Sequence, residues 1–390
     1  MNLAEFVPLN DIRNQMKSHG KLFFEILQNG LWGKQIEVVP TRSDVLQVIR
    51  MSLSQTVLGI VGNVIIENET LSSNLTEREL ASLRKYVMSV VSVSYTWNCN
   101  ARHIVKEMHE NGVEPLLLKG QGIAQYYPNP DLRQCGDIDL YVGKQYFDKA
   151  CKVIKSLATE RDMRTVKDTK KHFHIYLGKV PVELHLYSDV YYPERLDRIY
   201  QEISDAGISV APVEVDIVGY PIKTPSLNFN VFYIFNHLWH HFIADGVGLR
   251  QICDLCVLLH RFHGQIDHEY LHDALERMGL MKQWKIFGYI AVDKLGLPVE
   301  EYPFYDKKYS RLKEKVFRLV MLEGNFGHEN VKQQNRPKGY VRGKLYSLTV
   351  RAKRNMRVLF LFPKDSLRHI GKVVDKGILA VLVDIFGKKQ

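Results

Sequence analysis

The sequence predicts a mixed α and β fold, in which a small sheet with its own helices is embedded between two helical regions. Apolar residues follow a helical spacing before residue 112, form short strands separated by turns from residue 113, and return to a helical spacing after residue 225. At 390 residues the chain exceeds the roughly 100–200 residues expected of one domain. We therefore predict four regions, spanning residues 1–112, 113–225, 226–326 and 327–390.

Composition is that of a globular protein. Hydrophobic residues make up 45% and charged residues 25% of the sequence, which sets aside disordered and collagen-like classes. No apolar run approaches the ~20 residues that a spanning helix needs, and residues 1–10 lack the basic start and apolar stretch of a secretory signal. The five scattered cysteines suit reduced thiols. These features predict a cytoplasmic location.

Each region contains its own signals of secondary structure. Helical patterns run over 45–61 and 82–109, and Asn111-Gly112 fits a helix end because both residues tolerate a left-handed backbone. Ser226 is the predicted N-cap of the later helical region, which runs to about Phe326. The middle region is predicted to contain strands at 114–118, 138–142, 172–177 and 182–187, a helix at 146–157 and a hairpin at 213–224.

Two aspartates precede and enter the second of these strands. Asp137 and Asp139 are two residues apart, and alternate side chains of a strand point to one face, so both carboxylates project together. Close negative charges repel unless a proton or cation intervenes, and Mg²⁺ with a bound triphosphate satisfies them. A neighbouring strand would bring Glu183 to the pair, with His185 on the same face. Taken alone, an Asp-x-Asp pair is also common on solvated surfaces. The surrounding sequence is therefore needed to distinguish a metal site from an ordinary surface pair.

That context is a succession of short motifs. It runs Leu117-Leu118-Lys119-Gly120, Tyr127-Pro128, Asp131-Leu132-Arg133, Gly136-Asp137-Ile138-Asp139-Leu140-Tyr141-Val142 and Val182-Glu183-Leu184-His185. Across roughly residues 20–270 the chain resembles the uncharacterised bacterial nucleotidyltransferase family, a branch of the DNA polymerase beta-like nucleotidyltransferase superfamily. The resemblance implies a nucleotidyltransferase-type sheet. It also implies that Asp137 and Asp139 bind metal and that Glu183 is the third acidic residue.

The motifs also nominate nucleotide-binding residues. These candidates are Lys119, Gly120, Arg133 and Gly136. The wider superfamily has Gly-Ser where this chain has Gly120-Gln121, so backbone amides after Gly120 and the charge of Lys119 are expected to replace the serine at the phosphates. Arg133 is expected at a phosphate or in a bidentate pair with the metal-site carboxylates, unless it is simply exposed. His185 is expected at the nucleotide or acceptor, or in a structural role beside the metal strand.

The C-terminal helical region contains two further polar groups. His237, His240 and His241 share a predicted helical face, and structural or acceptor-facing roles are favoured over zinc because the His-Glu-x-x-His pattern is missing. Arg250 and Asp254 are four residues apart and are expected to pair on a helix surface.

Positive charge is concentrated in the tail. Residues 331–390 contain fifteen Lys and Arg against three Asp, a net of +12 in a chain of +10, which leaves about −2 for the rest. An apolar stripe with helical spacing follows at 373–385. The tail is expected to pack on the protein or a partner subunit, with an anionic membrane surface as the alternative. No nucleic-acid-binding motif accompanies it.

Together these features predict transfer of a nucleoside monophosphate from a nucleoside triphosphate to an acceptor hydroxyl. Asp137 and Asp139 would bridge two Mg²⁺ ions, with Mn²⁺ as an alternative, and Glu183 would hold the acceptor-side ion and assist deprotonation. The acceptor is a small molecule, a saccharide or a protein, and the motif identifies neither it nor the base. The alternative is a nucleotide-binding or structural module without turnover, which Gln121 in place of serine favours.

Overall fold

The fold is known from a computed structural model that describes residues 12–168, 172–308, 310–325, 346 and 355–371. It confirms the predicted mixed architecture, because helices precede and follow a region that contains two small sheets. The predicted boundaries at residues 112 and 225 stay a prediction. Within the ranges described, no helix is both long enough and apolar enough to cross a membrane.

The elements follow one another in this order. The α-helices are α1 (Ile12–Trp32), α2 (Arg42–Ser54), α3 (Leu58–Glu67), α4 (Glu69–Ser72), α5 (Glu77–Glu110), α6 (Gly120–Ala124), α7 (Gly143–Leu157), α8 (Glu160–Met163), α9 (Glu194–Gly207), α10 (Leu227–Ala244), α11 (Leu249–Phe262), α12 (His268–Met278), α13 (Met281–Gly288) and α14 (Arg311–Glu323). The strands are β1 (Leu116–Leu118), β2 (Ile138–Tyr141), β3 (Lys167–Asp168), β4 (His172–Leu177), β5 (Val180–His185), β6 (Pro212–Asp216) and β7 (Pro221–Ser226).

The first helical region differs from its prediction at one turn. The pattern over 45–61 forms two helices rather than one, because the chain turns between α2 and α3. The buried amide of Gln55 holds this turn: it donates to the carbonyl of Met321 at 3.2 Å and accepts from the amide of Leu249 at 3.0 Å. Both partners lie about 200 residues or more along the chain, so local periodicity could not show the break.

The larger sheet has the order β1-β2-β5-β4-β3. Strands β2 and β5 are parallel neighbours, whereas the other pairs are antiparallel. The predicted strand at 182–187 is displaced, since β5 begins at Val180 directly after a tight turn at Gly178, whose φ is 62°. The hairpin β6–β7 forms the second sheet, as predicted. Ser226 precedes α10 as expected, but its hydroxyl donates to the carbonyl of Gly207 instead of capping the helix.

Two hydrophobic cores support these elements. One lies under the sheet, where Ile138, Leu140 and Val182 pack with the C-terminal end of α5. The other is shared by the helices that precede the sheet and those that follow it. The second core therefore brings α10 and α11 beside the sheet, so that helical side chains face the ends of β2 and β5.

Part of the basic tail packs on the helical region. Residues 355–361 and 363–371 are helical. Val358 and Phe362 are buried, and the ring of Phe362 lies 4.8 Å from that of Trp239 and 5.9 Å from that of Phe242. This packing agrees with the expected docking on the protein itself. The predicted stripe at 373–385 lies outside the described residues.

Candidate functional site

The acidic residues converge because of strand pairing. In the register of β2 and β5, Asp139 lies directly opposite Glu183, and Asp137 immediately precedes the first residue of β2. Their neighbours Ile138 and Leu184 point to the other face and are completely buried in the core. The structure therefore brings all three predicted carboxylates to one face of the sheet.

Lys119 supplies a positive charge among these carboxylates. Its Nζ lies 3.1 Å from Oδ2 of Asp139 and 3.9 Å from Oδ2 of Asp137. Its backbone has φ 42° and ψ −144°, a sparsely populated conformation that costs a non-glycine residue roughly 1–3 kcal/mol, and it turns the chain sharply from β1 into α6. Burial alone would lower the pKa of Lys119, but the attraction of Asp137 and Asp139 outweighs burial and raises it.

The three carboxyl groups have different proton affinities. Burial alone would raise the pKa of Asp139, but Lys119 and His185 outweigh it and hold that pKa well below its usual range. The charge of Asp139 raises the pKa of Asp137, while burial and then Asp139 raise the pKa of Glu183. Asp139 is therefore the permanent anion of the group, and Glu183 is a stronger base than a solvated glutamate.

His185 completes a group that can hold a metal ion. Within the described ranges, Asp139, Glu183 and His185 offer ligand atoms that all lie within 4.8 Å of one another. Asp139 is 1% exposed, and its Oδ2 contacts the Lys119 ammonium without accepting a well-aligned hydrogen bond. A buried carboxylate oxygen that accepts no well-aligned hydrogen bond can instead bind a divalent cation.

The glycine-rich segments beside the carboxylates have a structural role as well. Gly120 and Gly136 line the same cavity as Lys119. Gln121, which follows Gly120, is completely buried, and its amide donates to the carbonyl of Asp137 at 3.2 Å. Trp97 likewise donates to the carbonyl of Gly136 at 3.1 Å. These bonds fix the backbone that presents the first aspartate.

Arg133 does not pair with the metal-site carboxylates, so that expectation is wrong. Its Nε and Nη2 donate to the two carboxylate oxygens of Asp254 at 2.7 and 2.8 Å, and both side chains are buried. Tyr127 also donates to Asp254, at 2.7 Å. The predicted surface pair between Arg250 and Asp254 is wrong for the same reason, because Asp254 points inward to Arg133.

Arg250 is a candidate that the sequence analysis missed. It lines the cavity, and among the described residues its Nη1 donates to the carbonyl of Gln134 at 2.7 Å while its buried Nε has no hydrogen-bond partner. Burial and then the neighbouring charge of Arg133 lower its pKa. A buried guanidinium with spare donors beside a second guanidinium is well placed to bind an anion. The spacing of Arg250 from Asp254 had suggested mutual neutralisation and so concealed it.

The cavity lies between the sheet and α10. Its volume is about 880 Å³, and the α10 wall presents Tyr233, His237 and His241. These residues recur every four positions, a spacing that indicates a common face. His237 and His241 place their Nε2 atoms 3.0 Å apart, whereas Nδ1 of His240, which also lines the cavity, lies 2.8 Å from Oδ2 of Asp189. All three histidines therefore line the cavity, but only His237 and His241 contact each other, while His240 pairs with Asp189.

A protein family and a solved structure are similar to this chain. A family model described as an uncharacterised nucleotidyltransferase matches residues 41–295. An antigenic nucleotidyltransferase-like protein from Paracoccidioides brasiliensis is similar at 12% identity and a TM-score of 0.31, over 51% of this chain and 92% of that chain. No curated protein matches. The matched family segment contains every residue of the candidate site.

Proposed function

We propose that this chain, which belongs to the uncharacterised nucleotidyltransferase family, transfers a nucleoside monophosphate from a nucleoside triphosphate to an acceptor hydroxyl. The observation that carries the proposal is the pairing of buried Asp139 with Glu183 across parallel strands, where Glu183 and Asp137 line a cavity of about 880 Å³. The proposed catalytic residues are these three carboxylates. The acceptor is a small molecule, a saccharide or a protein.

The carboxylates would hold divalent ions, and two ions, Mg²⁺ or Mn²⁺, are part of the proposal. Such ions supply Lewis-acid stabilisation of charge on a transferring phosphoryl group. Asp139 fits this role because it is buried and anionic, and Asp137 fits it because its carboxylate lies at the cavity opening, 39% exposed. The residues present are therefore compatible with the metal dependence of nucleotidyltransferases.

The triphosphate would lie near Lys119 and Arg250. Phosphate oxygens would accept hydrogen bonds from the guanidinium of Arg250, which lines the cavity. Gly120 and Gly136 allow the backbone to approach the phosphates closely, because neither has a side chain at the cavity wall. Arg133 supports the loop between these glycines. It is less available to bind phosphate, because its Nε and Nη2 already donate to Asp254.

Glu183 is the proposed general base. The acceptor oxygen forms a bond to the α-phosphorus, the bond from that phosphorus to the bridging oxygen breaks, and pyrophosphate leaves. The acceptor's proton passes to Glu183, which lines the cavity, whereas Asp139 is buried. The opposite wall, with Tyr233, His237 and His241, offers hydroxyl and imidazole groups for holding the acceptor.

Calorimetry with α,β-methylene triphosphates of the four bases, with and without a divalent ion, tests nucleotide binding. Asp139→Asn is expected to abolish metal-dependent binding, whereas Asp148→Asn on the exposed face of α7 leaves it unchanged. Arg250→Met is expected to weaken binding about ten-fold or more, from the ~1.5–3 kcal/mol of a hydrogen bond to a charged group. Arg195→Met, on exposed α9, is its control.

Pyrophosphate release in the presence of saccharides, small alcohols or cellular proteins then tests turnover. Release that depends on one acceptor and on Glu183 supports the enzyme. Tight binding of a nucleotide without release across that screen favours the module without turnover. Equal metal-dependent binding by the wild type and Asp139→Asn refutes the assignment of the site.

A further inference from the structure

His185 lies closer to the carboxylates than a residue that merely lines the cavity. It follows Glu183 by two residues on β5, so both side chains point to the same face. Its Nε2 lies 2.9 Å from Oδ1 of Asp139 and 3.6 Å from Oε2 of Glu183. The imidazole is only 16% exposed. The ring therefore presents one nitrogen to the point where two carboxylates meet.

These separations match the spacing of ligands around one ion. Metal–oxygen bonds of ~2.1 Å place neighbouring octahedral ligands about 3 Å apart. The distance from Nε2 to Asp139 already has this value, and that to Glu183 exceeds it by an amount that a small side-chain rotation removes. A cation would lie where the hydrogen bond between Nε2 and Asp139 now lies, with the ring proton on Nδ1.

The two oxygens of Asp139 face different side chains. Oδ2 lies 3.1 Å from the ammonium of Lys119, on the side of Asp137. Oδ1 faces His185, on the side of Glu183. The His185 side of Asp139 is therefore separate from the lysine charge, and a metal ion can bind there without displacing Lys119.

We propose that His185 is a direct metal ligand through Nε2, and that the position it forms with Asp139 and Glu183 selects Mn²⁺ over Mg²⁺. The inference rests on the proposed function, because the ion is the acceptor-side ion of that reaction. Mg²⁺ binds oxygen and keeps its waters, whereas imidazole nitrogen favours transition-metal ions. A site with one nitrogen and two carboxylates therefore binds Mn²⁺ more tightly than an all-oxygen site of the same charge.

Pulsed electron paramagnetic resonance on the full chain loaded with one equivalent of Mn²⁺ tests the ligand directly. The wild type is expected to show nitrogen modulation from a coordinated imidazole, and His185→Gln is expected to lose it. His174→Gln is the matched control, because His174 lies opposite Glu183 on β4 and lines the same cavity. This control is expected to keep the modulation.

Competition between the two metals gives a second measurement. His185→Gln is expected to weaken Mn²⁺ binding about ten-fold or more while leaving Mg²⁺ binding nearly unchanged. The Mg²⁺ dissociation constant divided by the Mn²⁺ dissociation constant is therefore expected to fall in this variant. In His174→Gln this ratio is expected to stay constant. A histidine that only hydrogen-bonds the carboxylate would weaken both metals equally.

The outcomes separate this inference from the proposed function. If the wild type binds Mn²⁺ in a manner that Asp139→Asn abolishes, yet shows no nitrogen modulation, the site is all-oxygen and His185 is not a ligand, while the proposed function survives. If the wild type binds neither metal, both fail. The spectrum of the wild type decides the question even if the His185 variant does not fold.

Discussion

At the scale of single residues, the histidine pair on α10 shows how burial sets charge in the cavity wall. His237 and His241 have their Nε2 atoms 3.0 Å apart. Burial, followed by the charge of Lys119, lowers the pKa of His241 to about 4 and that of His237 well below its usual value. Both rings are therefore uncharged at neutral pH, so one donates to the other and the pair adds no positive charge opposite the carboxylates.

The lowered pKa predicts a loss of stability in mild acid. An unfolded histidine titrates near pH 6.5 and folded His241 near pH 4, so between these values the unfolded state binds more protons and stability falls as the pH falls. This residue alone is expected to remove about 1 kcal/mol of unfolding free energy between roughly pH 7.5 and pH 5.5. The His241→Gln variant lacks this titrating group, so its unfolding free energy is expected to fall by correspondingly less over the same pH interval.

Urea unfolding of both proteins at the two pH values measures the difference. His103→Gln, at a 58% exposed position of α5, is the control and should behave as the wild type does. An equal pH-dependent loss in the wild type and His241→Gln would show that the buried ring does not titrate as described.

At the scale of elements, a close approach between α3 and the loop before β2 positions the first aspartate. A Cβ atom added at Gly59 would lie 2.1 Å from the backbone carbonyl oxygen of Leu132. That loop continues through Arg133 to Asp137 and is further held by Trp97. The absence of a side chain at Gly59 therefore allows the loop to take the position that both the Arg133–Asp254 pair and the proposed metal-binding carboxylates require.

Gly59→Ala is expected to destabilise the protein by about 1–3 kcal/mol, because a backbone atom cannot move aside as a flexible side chain can. The displaced loop should also weaken metal binding. Gly20→Ala in α1, where an added Cβ meets no atom within 4 Å, is the control and is expected to stabilise the protein by about 0.5–1 kcal/mol. Urea unfolding and Mn²⁺ titration of the two variants measure both effects. Wild-type stability in Gly59→Ala would contradict the close approach.

At the scale of the whole molecule, the buried pair of Arg133 and Asp254 joins the sheet region to α11. Loss of one partner leaves the other as an uncompensated buried charge, so Asp254→Ala is expected to cost about 3–5 kcal/mol. The double variant Arg133→Met with Asp254→Leu removes both charges and is expected to recover part of that loss. Chemical denaturation of the three proteins measures the coupling. Additive losses in the double variant would rule out a direct pair.

The described part of the tail is expected to contribute stability rather than chemistry. Phe362 is 4% exposed against Trp239, so Phe362→Ala should cost about 3–5 kcal/mol while leaving the affinity for Mn²⁺ and nucleotide unchanged. Phe360 is 82% exposed, and Phe360→Ala is the control with little effect on stability. A folded Phe362→Ala protein that no longer binds the nucleotide would place the tail in the site.

Local sequence was sufficient for much of the site. Alternation along a strand predicted that Asp137 and Asp139 share a face, and the same rule placed His185 beside Glu183. Apolar spacing and turn residues predicted most strands and the end of α5, because these signals act over a few neighbouring positions. The family motifs then connected these residues to nucleotidyl transfer.

Only the tertiary structure decided which residues meet across the chain. It paired β2 with β5, directed Arg133 to Asp254, left the buried Nε of Arg250 without a partner among the described residues, and placed the α10 histidines at the wall of the cavity. Each of these contacts joins residues about 40 or more positions apart, or depends on which face of a helix is buried. Periodicity states that a face exists, but packing in the shared core selects what that face contacts.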